Sequence, residues 1–211
     1  MYLYTLLAAL VVIVAIFLTP QRHKVWMATG AISCAAIAAI GLAIRAFAST
    51  EPIAIAEFST PFFGAEFFSV DKLSSLFLVI IAIASVATVV YSRGYVEGYL
   101  KRFSEAHISL HYTSLVVLVV SMMLVVMSSG GFSFLFSWEL MTIASFLLIL
   151  FEAERQDVRR AALNYLVMMH IGFMFLVAGF VMTYNVTGSA NFTAIVDYFK
   201  VAQPLPLFII L

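Results

Sequence analysis

The chain has 211 residues, of which 64% are hydrophobic and only 10% charged, and its acidic and basic side chains cancel to a net charge of +0. With a mean hydropathy of +1.10, this composition excludes a soluble globular domain and a nucleic-acid surface, and it makes the chain an integral membrane protein. The zero net charge says nothing of partners, so the information lies in where the charges fall.

A helix that rises about 1.5 Å per residue needs about 20 apolar residues to cross a hydrocarbon core of about 30 Å. Runs of this kind fall at 2–19, 25–47, 73–91, 112–128, 131–150 and 162–184, and another opens at 204–211. They are apolar on all sides and lack the strict alternation of barrel strands, so the expected fold is an all-α polytopic transmembrane bundle. The first run has no basic residues before it and is followed by Arg22 and Lys24, which suits an uncleaved anchor. Cys34, among the small residues of the second run, is expected to be a packing residue, because a lone thiol forms neither an internal disulfide nor a cluster site.

Segment 48–70, broken by Pro52, Pro61 and Gly64 and carrying Glu51, Glu57 and Glu66, is expected to be an external loop. Phe62, Phe63, Phe67 and Phe68 would hold it partly in the interface. Asp71 then stands where a helix N-terminus favours a carboxylate. Segment 92–111 mixes Arg93, Glu97, Lys101, Arg102 and Glu105 with aromatics and reads as an amphipathic connector. His107 and His111, four apart, would share a helix face, but the sequence offers no third ligand for a metal.

Only Ser128, Ser129, Gly130 and Gly131 separate the fourth and fifth runs, so these must be antiparallel neighbours. After Leu150, Glu152, Glu154 and Asp157 alternate with Arg155, Arg159 and Arg160 in a charged connector. The odd connectors thus hold Arg22, Lys24, Arg93, Lys101, Arg102, Arg155, Arg159 and Arg160, and the even ones only Arg45, Lys72 and Lys200. By the positive-inside rule the odd connectors face the cytoplasm and the N-terminus lies outside.

Glu139 is the only acidic residue in the interior of any apolar run. A carboxylate at that depth costs at least about 2.5 kcal/mol on insertion scales, so ion or proton handling is the default expectation. His170 lies in the next run. Counted from their respective boundaries, both residues sit about 12 Å deep, on consecutive antiparallel helices and at a similar level. Burial disfavours the charged form of an acid and of an imidazole alike, so such a pair can exchange a proton in either direction. The expected relay is Glu139 with His170, bridged where needed by water or by Ser121, Ser137, Thr142 and Ser145, and supported by Asn164 and Asp71. The alternatives are a protonated structural carboxylic acid at Glu139 and a hydrogen-bonded interhelical histidine at His170. No Gly-rich nucleotide loop, HExxH or clustered Cys/His set is present, so no cofactor and no catalytic residue is expected in this chain.

Asp71-Lys72-Leu73-Ser74, Tyr91-Ser92-Arg93-Gly94-Tyr95, Trp138-Glu139-Leu140-Met141 and the segment RRAALNYLVMMHIG together resemble the antiporter-like proton-translocating membrane subunits. That family includes the large membrane subunits of respiratory complex I, the membrane subunits of group 4 hydrogenases and formate hydrogenlyase, and multi-subunit sodium/proton antiporters. The resemblance implies a fourteen-helix fold of two inverted repeats, in which Glu139 pairs with a lysine on the seventh span. It divides the chain into 1–70, two spans and an external loop, and 71–211, the start of the antiporter-like domain. Complex I members commonly show A-x-K-x-F and R-x-G-D where this chain has Ala162-Leu163-Asn164-Tyr165 and His170-Ile171-Gly172-Phe173. The histidine looks more like hydrogenase-4 component B and formate hydrogenlyase members.

The implied function is proton translocation within a multi-subunit redox-driven complex of a bacterial or archaeal inner membrane, in company with other membrane and peripheral subunits. A sodium/proton antiporter subunit and a non-transporting scaffold are the rivals. Because PLFIIL ends inside the expected seventh span, the chain is expected to be part of a longer subunit.

Overall fold

The computed structural model describes residues 15–60 and 64–202. The order of elements is α1 (Gln21–Ala48), β1 (Ile53–Thr60), β2 (Gly64–Val70), α2 (Lys72–Glu97), α3 (Glu105–Met127) and α4 (Gly131–Ile149). A 3-10 turn (Leu150–Glu152), α5 (Gln156–Thr187) and α6 (Phe192–Ala202) follow. Helices α1 to α5 match the second to sixth expected spans, and among the described residues 5 helices are long and apolar enough to cross a membrane. The expected first span is described only from residue 15 on, and the expected opening of the seventh at 204–211 lies outside the described residues.

The segment expected as an external loop is folded as a β-hairpin. Strand β1 pairs antiparallel with β2, Ile53 opposite Val70 and Phe58 opposite Glu66, with a bulge between Ala54 and Ala56. Proline and glycine break the segment at its edges, and between them Ile53, Ile55 and Glu57 alternate with Ala54, Ala56 and Phe58, the period-2 pattern of a strand. Of the aromatics expected at the interface, Phe62 and Phe63 lie outside the described residues, whereas Phe67 and Phe68 are half-buried.

Helices α1 and α2 meet along a seam of small residues. Ala28, Ile32, Ala36, Ala39, Ala43 and Ala46 recur every three or four positions on α1, and all are buried. Ser75, Leu78, Ala82, Ser85, Val89, Ser92 and Val96 do the same on α2. In lipid, where apolar surface gains little from leaving the solvent, such stripes let two backbones approach closely and gain packing. Cys34 does not join this seam and is exposed on the opposite side of α1, which corrects the expectation that it packs.

The two ends of the bundle differ. At one end the hairpin, the α3–α4 turn and the α5–α6 turn interlock: Ser129 N–H donates to Phe67 O at 3.0 Å, Gly131 N–H to Ala190 O at 2.9 Å and Phe192 N–H to Ser129 O at 3.2 Å. At the other end the α2–α3 and α4–α5 connectors meet. Arg102 Nε donates to Glu154 Oε2 at 3.0 Å, and the Tyr99 hydroxyl donates to Glu152. The odd connectors, which carry most of the basic residues, therefore share one end, here called the basic end.

Lys24 belongs to that end but not to a solvated loop. It lies in the first turns of α1 and is 1% exposed. Its ammonium donates to Ser109 Oγ at 2.7 Å, Ile16 O at 3.2 Å and Phe17 O at 3.4 Å. A cation there satisfies the terminal carbonyls of the preceding helical residues 15–18 and ties them to α3.

Candidate functional site: a carboxyl–imidazole pair between α4 and α5

Helix α4 has 19 residues and is therefore about 29 Å long, close to the thickness of a hydrocarbon core. Gly130 supplies its N-cap without a side-chain bond, and Gly131 lets α5 approach: a Cβ at position 131 would lie 2.6 Å from Phe180 Cδ1. At the far end of α5, Gly188 closes the helix at φ 69, and its N–H bonds Tyr184 O at 2.8 Å. Gly131 thus allows the close crossing of α4 and α5, and Gly188 ends α5.

At mid-height His170 Nε2 lies 3.1 Å from Glu139 Oε1. The pair is in direct contact and needs no bridging water. The other ring nitrogen, Nδ1, faces Leu166 O at 2.9 Å one turn earlier on α5. A carbonyl can only accept, so Nδ1 carries the hydrogen and Nε2 is bare in the neutral ring. The short contact to Glu139 then needs one shared proton: either the carboxylic acid donates to Nε2, or the imidazolium donates to the carboxylate. Glu139 Oε2 is shielded from solvent and has no partner among the described residues.

The side chains of His170 and Glu139 are 42% and 25% exposed, so the pair sits on the flank of the described bundle and not at its centre. Beside it, Leu166, Val167, His170, Ile171 and Met174 line an apolar groove of about 320 Å³ on the outer side of α5. In a membrane an outward-facing imidazole among Leu, Ile and Met is poorly solvated. Sharing a proton with Glu139 offsets part of that cost.

Of the supporting residues expected from the sequence, Ser145 meets α5. Its hydroxyl is 2.6 Å from Tyr165 OH across the α4–α5 contact and 2.7 Å from Met141 O. Thr142 and Ser121 donate their hydroxyls to their own helices, to Trp138 O at 3.0 Å and Leu118 O at 2.9 Å. Ser137 is fully buried with its hydroxyl unpartnered among the described residues. Asn164 is exposed on α5, and Asp71 is the N-cap of α2, accepting from Ser74 N–H at 2.7 Å. Neither is brought to the pair. Tyr165 and the Leu166 carbonyl were not singled out in the sequence; their signal is position, since both lie on α5 within a turn or so of His170.

Residues 128–211, which hold the pair, match the NADH:quinone oxidoreductase/Mrp antiporter transmembrane family. An NADH-quinone oxidoreductase subunit N from Rubrobacter xylanophilus is 30% identical over 166 residues, covering 78% of this chain and 33% of that protein. The provisionally assigned antiporter subunit mnhA2 of Staphylococcus saprophyticus is 31% identical over 150 residues, covering 68% of this chain and 18% of that protein. Residues 128–211 of this chain belong to the antiporter-like membrane-subunit family. Its fold agrees: a chain of the membrane-bound sulfane sulfur reductase, an archaeal respiratory membrane complex, superposes with a TM-score of 0.71 at 17% identity, over 88% of this chain and 36% of that one. This antiporter-like chain thus spans 18% to 33% of the length of the two curated relatives.

Proposed function

We propose that this antiporter-like chain carries part of a proton path through the membrane, as one subunit of a multi-subunit redox-driven complex. Glu139 and His170 form its mid-membrane station. The observation that carries the proposal is the contact of His170 Nε2 with Glu139 Oε1 at 3.1 Å, made while Nδ1 is committed to Leu166 O. A pair in contact through one proton can be tipped either way by a charge that appears nearby. A neighbouring subunit that brings or withdraws such a charge would load the pair from one side and empty it to the other. The basic end then faces the cytoplasm of a bacterial or archaeal inner membrane, and the hairpin end faces outside.

The histidine at position 170 favours a hydrogenase-type complex within this class. A sodium/proton antiporter subunit is the second possibility, and the mnhA2 relative supports it. The two differ in what drives transport. In vesicles of the native membrane, the redox-driven subunit acidifies one compartment only when an electron donor and acceptor turn over, whereas the antiporter subunit exchanges protons for an imposed sodium gradient without them. In the full-length chain, E139Q should insert in normal amount and abolish redox-driven proton movement. Full translocation in E139Q removes the proposed station.

A further inference from the structure

At the basic end, His111 on α3 stands in a box of aromatic rings, with Phe151 at 4.5 Å, Tyr112 at 5.3 Å and Tyr95 at 6.5 Å between centroids. Both of its ring nitrogens are shielded from solvent, and neither meets a donor or acceptor among the described residues. A neutral imidazole has one N–H to give and one lone pair to fill, and the described residues serve neither at His111. Its neighbour His107 differs, since its Nε2 is occupied by Phe151 O at 2.8 Å.

Polar groups continue from His111 in both directions. Toward the aqueous rim, the Tyr95 hydroxyl donates to Glu152 Oε1 at 3.0 Å, and Tyr99 donates to the same oxygen. The Glu152 side chain is 23% exposed, so its carboxylate is within reach of water. Toward the membrane interior, Ser114 follows one turn later on α3, 3% exposed and with its hydroxyl also unpartnered among the described residues. Helices α3 and α4 run antiparallel from the 128–130 turn, so Ser114 and Ser145 lie at about the same depth. Ser145 is paired with Tyr165 at 2.6 Å. Tyr165 precedes His170 on α5 by about 7 Å along the axis.

We propose that His111 is the entry station of a proton path that runs from Glu152 at the basic rim past Ser114, Ser145 and Tyr165 to the Glu139–His170 pair. There Glu139 Oε2 is the acceptor without a partner among the described residues. The inference rests on the proton-translocating function proposed above. A proton from bulk water, held near the Glu152 carboxylate, is passed by water to one nitrogen of His111. The ring releases its other proton inward through water and hydroxyls and returns to the neutral state. One proton has moved and the charge of the ring is unchanged; the ring is left as its other tautomer, which a ring flip or proton re-exchange with water resets before the next proton.

The test uses the full-length chain in vesicles of its native membrane complex. H111F keeps an aromatic ring against Phe151 but removes both nitrogens. Translocation should fall by at least about tenfold while the amount of chain in the membrane stays normal. H111A opens the box, and added imidazole should restore translocation in it, which a purely structural histidine would not allow. Wild-type translocation in H111F overturns the proposal, as does a stably inserted, slow H111A that imidazole fails to accelerate. If H111F does not accumulate, H111A with and without imidazole decides. H111F active while E139Q is dead removes His111 alone and leaves the Glu139–His170 station standing. E139Q active while H111F is dead removes that station and keeps the entry at His111.

Discussion

Glu139 owes its chemistry to two other residues: His170, which it touches, and Leu166, whose backbone carbonyl holds the far side of the imidazole at 2.9 Å. That Glu139 and His170 would lie at a similar depth was legible, because an acid inside an apolar run stands out and the next run holds a histidine at the matching level. That they would touch was not legible. Depth follows from counting residues, but the rotation of each helix about its axis is set by packing partners distant in sequence. Lys24 illustrates the same limit: it was counted in the first connector, yet Ser109, far along the chain, gives it a buried partner. Replacing Lys24 by Met should leave the carbonyls of Ile16 and Phe17 and the Ser109 hydroxyl without this donor. A loss of about 1–3 kcal/mol is expected, read as a lower thermal midpoint in detergent micelles; an unchanged midpoint would mean that water reaches these carbonyls.

Among the elements, the helices were legible in existence and less so in extent. Helix α5 starts at Gln156 and not near 162, because Asp157, Arg155 and Glu152 form ion pairs at the basic end, Arg155 reaching Asp157 at 2.7 Å and Glu152 at 3.5 Å. Polar turns that extend a span beyond the hydrocarbon do not show in an apolar count. The hairpin was hidden for a different reason: prolines and a glycine suggested a loop, while the alternation inside each strand covers only a few residues. The α4–α5 contact depends on Gly131, whose place against Phe180 leaves no room for a methyl group, and the Phe180 ring is held between Phe134 at 5.9 Å and Phe192 at 6.0 Å. G131A should therefore lower stability by about 1–3 kcal/mol through overpacking, offset in part by the better helix propensity of alanine. Combining it with F180L should recover most of that loss. The check is a thermal melt of the single and double variants; if F180L does not help G131A, the steric origin is wrong.

For the whole molecule, the two ends of the bundle sort the charges as the basic residues of the odd connectors require, and the Glu139–His170 pair lies between them on the flank of α4 and α5. The family was legible in short motifs, and the residues that match it, 128–211, begin at the turn before α4 and include both members of the pair. The coupling of those members is the central claim, and proton flux measured in vesicles for E139Q, H170Q and the double variant of the full-length chain tests it. If the two groups share one proton as a unit, each single variant should lose most of the flux, and the double variant should be no slower than the worse single one. Full flux in E139Q, or losses in the double variant that multiply as for independent sites, would contradict it.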